Sequence, residues 1–226
     1  MVVKKNIDKV LAELAGTSCR LIAVSKTQPV DKIREAYQAG QRLFGENKAQ
    51  EMASKQKELP ADIEWHMIGH LQTNKVKYIA PFVALIHSID SVKLLEEVNR
   101  QALKNNRVIK CLLQVYIAKE ETKFGLDESE VSALLKPELA TNYPGIEIVG
   151  LMGMATFTDN RNQIRQEFDR LKNLFDKLKQ SSLPANVRIT ELSMGMSSDY
   201  KIALQAGSTL VRIGTAIFGE RNYSKP

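Results

Sequence analysis

Short apolar runs alternate with amphipathic helical patterns along the whole chain, and this alternation limits the possible folds more than any other feature. Runs rich in Val, Ile and Leu and bounded by turn-forming residues predict buried strands. Eight such runs lie at residues 21–25, 42–45, 63–68, 83–89, 109–116, 146–154, 188–193 and 209–213. Every predicted strand except the last is followed by a helical pattern. The clearest pattern has apolar residues at alternating intervals of four and three: Ile164, Phe168, Leu171, Phe175 and Leu178.

The first 16 residues and the order of the later elements together predict the fold. Apolar residues at helical spacing stop at Gly16, which indicates an extra N-terminal helix ahead of the first strand. Strands that alternate with helices indicate a parallel sheet, and eight such units predict an α/β fold with a single (β/α)8 TIM barrel over residues 1–226. An open doubly wound sheet is the alternative, but the turn Lys26-Thr27-Gln28-Pro29 lacks the glycines of a dinucleotide-binding turn.

The composition is that of an ordinary soluble globular chain. Of the 226 residues, 43% are hydrophobic, and no apolar stretch approaches the roughly 20 residues of a membrane helix. The N-terminus lacks the apolar core of a signal peptide, so we expect a cytoplasmic protein without a membrane partner. Basic and acidic residues are interleaved despite the formal charge of +6, so we predict no nucleic-acid partner. Cys19 and Cys111 lack disulfide or zinc spacing, and we predict no metal site.

Lys26 follows the first predicted strand directly, where an apolar run meets a polar turn. Desolvation at the end of a buried strand favours the neutral amine, which is the nucleophile that forms Schiff bases with aldehydes. The alternative is a lysine that reaches water through its flexible stem and pairs with a carboxylate. The residues at the other strand ends favour the reactive amine.

Strands seven and eight are followed by turns that suit a phosphate group. Functional groups of this barrel lie at the C-terminal ends of the strands, often with a phosphate site after these two strands. The small-residue turn 193–199 offers backbone N–H groups and the Ser197 hydroxyl. Gly214 permits close approach and Thr215 supplies another donor. The alternative is that Ser197 caps the last helix and Gly214 makes a simple turn.

An imine-forming lysine together with a phosphate site predicts pyridoxal 5'-phosphate as the cofactor, since its aldehyde and phosphate lie at opposite sides of a pyridine ring. Arg212 lies two residues before Gly214, on the same side of strand eight, and we expect it to face the ring nitrogen. A permanent guanidinium donor leaves that nitrogen unprotonated and weakens the ring as an electron sink. The alternative is an ordinary ion pair of Arg212 inside the barrel.

Other side chains near strand ends are weaker candidates for the mouth of the barrel. Asn47 follows strand two, His66 lies within strand three, and His70 and Asn74 lie beyond it. The segment 152–156 follows strand six and contains two methionines. Each has a structural interpretation as well, because an asparagine can make a local turn, a histidine can be a satisfied core residue, and methionines usually pack.

Seven motifs, in this order, give the chain a family resemblance: AVSKT, FGENKAQE, WHMIGHLQTNK, HSID, GLMGMATF, ELSMGMSSDY and VRIGTAIFGER. The sequence resembles the pyridoxal phosphate homeostasis protein family over nearly its whole length. The resemblance implies a barrel similar to the N-terminal domain of alanine racemase, with pyridoxal phosphate on the lysine that matches Lys26. By the same match, Ser197, Gly214 and Thr215 would hold the phosphate, Arg212 would lie near the ring nitrogen, and Asn47 and Met194 would lie close to the cofactor.

The resemblance also implies a role in vitamin B6 and amino-acid homeostasis. We expect a carrier that holds the cofactor without robust catalysis, with amino acids and apo forms of pyridoxal-phosphate enzymes as possible partners. The alternatives are an amino-acid racemase and an aldolase that uses Lys26 directly on a sugar phosphate. Alanine racemases carry a second β-domain and take one base from a partner subunit, whereas this sequence ends at Pro226. We therefore expect a monomer without a second catalytic base.

Overall fold

Eight parallel strands close into a barrel in the computed structural model, which describes residues 2–118 and 124–219. The strands follow one another around the barrel in chain order, and the last pairs with the first through Ala23 and Ile213. They are β1 (Arg20–Val24), β2 (Leu43–Glu46), β3 (Glu64–Met67), β4 (Leu85–Ile89), β5 (Ile109–Gln114), β6 (Ile146–Met152), β7 (Val187–Ser193) and β8 (Leu210–Ile213). The predicted barrel and all eight predicted strands are confirmed.

Helices lie between the strands and ahead of the first one. They are α1 (Val2–Leu14), α2 (Val30–Gln38), α3 (Ala49–Glu58), a 3-10 helix (Thr73–Tyr78), α4 (Val92–Lys104), α5 (Glu128–Leu134), α6 (Leu139–Asn142), α7 (Arg161–Lys179), α8 (Tyr200–Gln205) and α9 (Thr215–Phe218). The predicted N-terminal helix is confirmed as α1, and its chain reverses at Gly16, where φ is +80°. In the described ranges 2–118 and 124–219, no helix has the length and apolar character needed to cross a membrane.

Two connections differ from the sequence prediction. The connection after β3 is a 3-10 helix rather than an α-helix. Val76 within it and Ile79 directly after it are spaced by the three residues of a 3-10 turn. The prediction that no helix follows the last strand is wrong, because α9 begins directly after Gly214. With four residues, α9 is too short to produce a periodic apolar pattern.

The core has an outer and an inner part. The larger cluster of buried apolar residues packs the helices onto the strands and includes Cys19 and Cys111. The smaller cluster fills the inside of the barrel and takes its members from β1, β4, β5, β6 and β8: Ile22, Leu85, Leu112, Val149, Met152 and Leu210. Buried polar side chains occupy other inward positions, among them His66, Ser193 and Arg212. The inside of the barrel therefore contains buried polar side chains as well as an apolar cluster.

Candidate functional site

A cavity of about 420 Å³ opens at the C-terminal ends of the strands. Six of the seven residues predicted for the site lie in its wall: Lys26, Asn47, Ser197, Arg212, Gly214 and Thr215. The cavity volume falls in the range typical of small-molecule sites, about 300–1,000 Å³. Residues that are far apart in the sequence, from the first strand to the last, are thus brought to one rim.

The backbone on both sides of Lys26 is held by polar side chains from α3. Lys55 Nζ donates to the Ser25 carbonyl at 2.8 Å, and the Thr27 N–H donates to Glu51 Oε1 at 2.6 Å. Thr27 has a φ of +63°, a left-handed conformation that is unfavourable for a β-branched residue. These bonds stabilise the strained turn and fix the direction in which the Lys26 side chain leaves the strand.

The same side chains form a buried ion cluster behind β1. Lys55 Nζ lies 2.8 Å from Glu46 Oε1 and 2.6 Å from Glu51 Oε1, and the Ser25 hydroxyl donates to Glu46 Oε1 at 2.6 Å. The Lys55 and Glu46 side chains are 7% and 0% exposed. Burial raises the pKa of the Glu46 carboxyl, and the Lys55 ammonium opposes that shift. Because Glu46 Oε2 has no hydrogen-bond partner in the described part of the chain, the cluster depends on the ammonium of Lys55.

The loops after β7 and β8 meet at the wall of the same cavity. The Gly214 N–H points to Ser197 Oγ at 3.4 Å, which joins the two loops. A Cβ atom on Gly214 would lie 3.3 Å from the Val24 Cβ, so glycine lets this loop lie close against β1 just before Lys26. Gly195 has a φ of +94°, and a Cβ there would lie 2.6 Å from the Ala203 Cβ. Both loops therefore depend on glycine to reach the rim.

Arg212 is 4% exposed and reaches the cavity from β8. Its guanidinium donates from Nη1 to Ser193 Oγ at 2.6 Å and from Nη2 to the Gly153 carbonyl at 3.2 Å. Among the described residues no carboxylate lies within ion-pair distance of Arg212, although the Asp199 carboxylate attracts its charge from farther away. Burial lowers the pKa of Arg212 to about 10, which leaves the side chain charged at neutral pH.

Met194 is the one predicted residue that the structure does not bring to the cavity wall. Its side chain is fully buried in the outer core, and Met196, two residues later, lines the cavity instead. The two methionines of the motif look alike in sequence, and the turn at Gly195 decides which of them faces the rim. Sequence reasoning also did not single out four further wall residues: Gln28, Ile68, Phe157 and Gly219.

A second cavity of about 800 Å³ lies beside the first, between the loops after β6 and β7. Met154, Phe157 and Ser197 line both cavities. The Phe157 side chain is 89% exposed although it is aromatic. The candidate site therefore continues into a groove large enough for a further small molecule.

Three of the weaker candidates, His66, His70 and Asn74, lie outside the cavity wall. His66 is 3% exposed and contacts His87 inside the barrel, as expected of a satisfied core histidine. His70 Nδ1 lies 3.0 Å from Asp90 Oδ2, and its ring stacks on Phe124 with centroids 4.6 Å apart. Asn74 is exposed on the 3-10 helix.

Comparison with known proteins assigns the fold to a class. A family model described as "Alanine racemase, N-terminal domain" matches residues 2–222. An alanine racemase from Bartonella henselae shares the fold with a TM-score of 0.70 at 18% identity, over 98% of this chain and 60% of the racemase chain. The barrel is therefore of the alanine racemase N-terminal type.

Closer relatives give the particular family. A pyridoxal phosphate homeostasis protein from Aquifex aeolicus (strain VF5) is 42% identical over 92% of this chain and 90% of the relative. One from Homo sapiens is 41% identical over 94% of this chain and 80% of the relative. The chain belongs to the pyridoxal phosphate homeostasis protein family.

Two solved structures of PipY from Synechococcus elongatus PCC7942 are similar over 96% of this chain and 100% of theirs. The structure without PLP has a TM-score of 0.89 at 38% identity, and the structure with PLP bound has a TM-score of 0.86 at 39% identity. PipY is thus a relative whose structure is known with and without PLP, and the similarity covers nearly the whole of this chain.

Proposed function

We propose that this protein holds pyridoxal 5'-phosphate as a Schiff base on Lys26 and serves vitamin B6 and amino-acid homeostasis without robust catalysis. The observation that carries the proposal is that one cavity is lined by Lys26, Arg212 and the two glycine-dependent loops. The cofactor needs an amine, an anion site and a partner for its ring nitrogen, and these three groups supply them. The PLP-bound structure of PipY and the names of the curated relatives support the same cofactor.

The wall residues suit the phosphorylated end of the cofactor. Ser197 and Thr215 present hydroxyl donors, and the Gly214 N–H already points to the Ser197 hydroxyl at 3.4 Å. Glycine at 214 allows the backbone to come close to an anion where a side chain would block it. We assign Ser197, Gly214 and Thr215 to the phosphate and Asn47, on the wall beside Lys26, to the ring side.

Arg212 favours retention of the cofactor over catalysis. Two of its five N–H donors are used by Ser193 and Gly153, so donors remain for a group in the cavity. A charged guanidinium beside the ring nitrogen leaves that nitrogen unprotonated, which weakens the electron sink on which rapid racemisation depends. Met194, which lies in the core, acts in this proposal by packing behind the loop rather than by contact with the cofactor.

Borohydride trapping tests the role of Lys26. Reduction of protein incubated with pyridoxal phosphate should attach one cofactor mass to the peptide that contains Lys26, and the visible absorbance of the imine should disappear. Lys26→Ala should abolish both signals and leave the circular dichroism spectrum unchanged. Lys57→Ala is the matched control, since Lys57 is an exposed lysine in the last turn of α3.

The outcome also separates the alternatives. A cofactor mass on another lysine would contradict the assignment of Lys26. Trapping of a sugar phosphate in place of the cofactor would favour the aldolase, and racemisation of free amino acids well above the rate of cofactor in solution would favour the racemase.

The homeostasis part of the proposal requires that the cofactor can leave the site. The loaded protein should transfer the cofactor to an apo enzyme faster when amino acids are present than when they are absent, because a free amine can displace Lys26. Activity regained by the acceptor measures the transfer, and Lys26→Ala loaded in the same way is the control. Equal rates from free cofactor and from loaded protein, at all amine concentrations, would contradict a carrier. The monomeric state and the cytoplasmic location stay predictions.

A further inference from the structure

A continuous chain of polar side chains crosses the inside of the barrel and ends at Arg212. His66 Nδ1 lies 3.0 Å from His87 Nε2, and His87 Nδ1 lies 2.9 Å from Ser193 Oγ. Arg212 Nη1 donates to the same Ser193 oxygen at 2.6 Å. The exposed fraction is 4% for Arg212, 3% for His66 and 0% for the other two residues. The four side chains come from β3, β4, β7 and β8, so the chain connects strands on opposite sides of the barrel.

The direction of every hydrogen bond in this chain follows from counting donors. A guanidinium can only donate, so Ser193 Oγ accepts from Arg212. The Ser193 hydroxyl then has its own proton to donate, and among the described residues His87 Nδ1 is the acceptor within reach. His87 therefore carries its proton on Nε2 and donates it to His66 Nδ1. His66 in turn carries its proton on Nε2.

The reverse direction leaves a buried donor without a partner. If His87 Nδ1 carried the proton, Ser193 Oγ would accept two hydrogen bonds and its own proton would have no acceptor among the described residues. A buried unsatisfied donor costs about 1–3 kcal/mol. The arrangement in which both histidines are protonated on Nε2 gives a donor and an acceptor to each of the three hydrogen bonds that join the four side chains.

The far end of the chain opens at the other face of the barrel. His66 lines a cavity of about 330 Å³ at the N-terminal ends of the strands, together with Arg20, Glu64, Lys110 and Glu191. The Nε2 proton of His66 is thus directed away from the chain, toward a polar space that can accept it. None of the other three side chains, His87, Ser193 and Arg212, accepts that proton.

Both histidines stay neutral at neutral pH. Burial lowers the pKa of His66 to about 3, and burial together with the charges of His66 and Arg212 lowers the pKa of His87 well below its ordinary value. Neutral imidazoles with fixed protons are aligned dipoles. The unprotonated Nδ1, the negative end of each ring, lies on the side toward Arg212. The chain therefore stabilises a buried guanidinium that has no carboxylate partner among the described residues.

We infer that His66, His87 and Ser193 are positioning residues for Arg212, and that their hydrogen bonds run in one fixed direction, with both histidines protonated on Nε2. The chain holds the guanidinium in one orientation at the wall of the C-terminal cavity. The effect on the cofactor rests on the proposed function, whereas the tautomers follow from the hydrogen bonds of the protein alone.

Nitrogen-15 NMR of histidine-labelled, cofactor-free protein tests the tautomers directly. His66 and His87 should each show a protonated Nε2 and an unprotonated Nδ1. His70 is the third histidine and serves as an internal reference, because its Nδ1 lies 3.0 Å from the Asp90 carboxylate and should carry a proton. His70→Gln removes one set of signals, and His66→Gln removes a second, which assigns the remaining set to His87. A proton on Nδ1 of His87 in the wild-type protein would overturn the inference.

Two serine variants test the link to Arg212. Ser193→Ala removes the shared hydroxyl, so His87 should lose its single tautomer and show averaged or exchanged ring nitrogens. Ser88→Ala is the matched control, since Ser88 is a fully buried serine of β4 whose hydroxyl has no hydrogen-bond partner among the described residues. Ser88→Ala should keep the wild-type tautomers. An unchanged His87 tautomer in Ser193→Ala would remove Ser193 from its assigned role.

Cofactor release supplies the second readout. Ser193→Ala should release pyridoxal phosphate about tenfold faster than Ser88→Ala, which is the change that one hydrogen bond to a charged group is worth. Equal release from both variants would refute the positioning of Arg212 for the cofactor. If wild-type protein binds no cofactor at all, the proposed function fails while the tautomer experiment still decides the inference.

Discussion

Two buried cations support the candidate site, and the protein stabilises them in opposite ways. Lys55 lies behind Lys26 and contacts two carboxylates, those of Glu46 and Glu51, at 2.8 and 2.6 Å. Arg212 lies at the cavity wall and contacts a hydroxyl and a carbonyl. The charge of Lys55 is neutralised by carboxylates in direct contact, whereas Arg212 has hydrogen bonds to neutral groups and only a longer-range attraction from the Asp199 carboxylate.

The difference matches what each cation has to do. The Lys55 cluster fixes a backbone turn, and a neutralised ion cluster with short bonds is suited to that structural task. Arg212 faces a cavity, and a carboxylate beside it would compete with any acceptor that enters. A neutral chain keeps the guanidinium in place and leaves its charge available to a ligand.

The largest expected effect comes from breaking the ion cluster. Lys55→Met should lower the free energy of unfolding by about 3–5 kcal/mol, because it leaves the Glu46 carboxylate buried without its ammonium. Urea unfolding followed by circular dichroism measures the change. Lys4→Met is the control, since the Lys4–Asp8 pair is more than half exposed and should contribute far less. Equal losses for the two variants would show that the cluster is not a stabilising element.

Removal of the other cation should have a smaller effect on stability. Arg212→Met should lower the free energy of unfolding by about 1–3 kcal/mol, because it leaves Ser193 and the Gly153 carbonyl short of a donor but breaks no ion pair between contacting side chains of the described residues. The same urea experiment measures it. The comparison would fail if Arg212→Met destabilised the protein as much as Lys55→Met does. Cofactor retention should show the opposite order, with the greater loss in Arg212→Met.

Acid should lower the free energy of unfolding at pH values where His66 in the folded protein is still neutral. The pKa of His66 is lowered to about 3 in the folded state, so below about pH 6.5 the unfolded chain binds a proton that the folded chain does not. Stability present above pH 6.5 is therefore lost toward pH 3, by about 1.4 kcal/mol per pH unit for each such histidine. Urea unfolding at several pH values should show this slope.

Matched variants isolate that slope. His66→Gln should reduce the slope, and His70→Gln, which leaves the buried chain from His66 to Arg212 intact, is the matched variant. Glu46 acts with the opposite sign, since burial raises the pKa of its carboxyl and its contribution falls as pH rises above the ordinary value. A slope that is the same in wild type and His66→Gln would contradict a neutral buried His66.

The positions of Lys26, Ser197, Arg212, Gly214 and Thr215 on the cavity wall followed from the sequence because barrel strands end at one rim. The ion cluster behind Lys26 did not. Lys55 looks like an ordinary surface lysine on an amphipathic helix, and only its burial against β1 and β2 makes it part of the site. The chain from His66 to Arg212 was equally hidden, since its members come from four strands.

The sequence by itself determined the alternation of strands and helices, and with it the barrel and the end of the barrel where the site lies. These properties are local, because apolar periodicity and turn residues act within a few positions of one another. The tertiary structure decided which of Met194 and Met196 faces the cavity, which cation meets carboxylates, and which histidines join into one chain. Such contacts depend on distances between strands far apart in sequence, and those distances exist only once the barrel has closed.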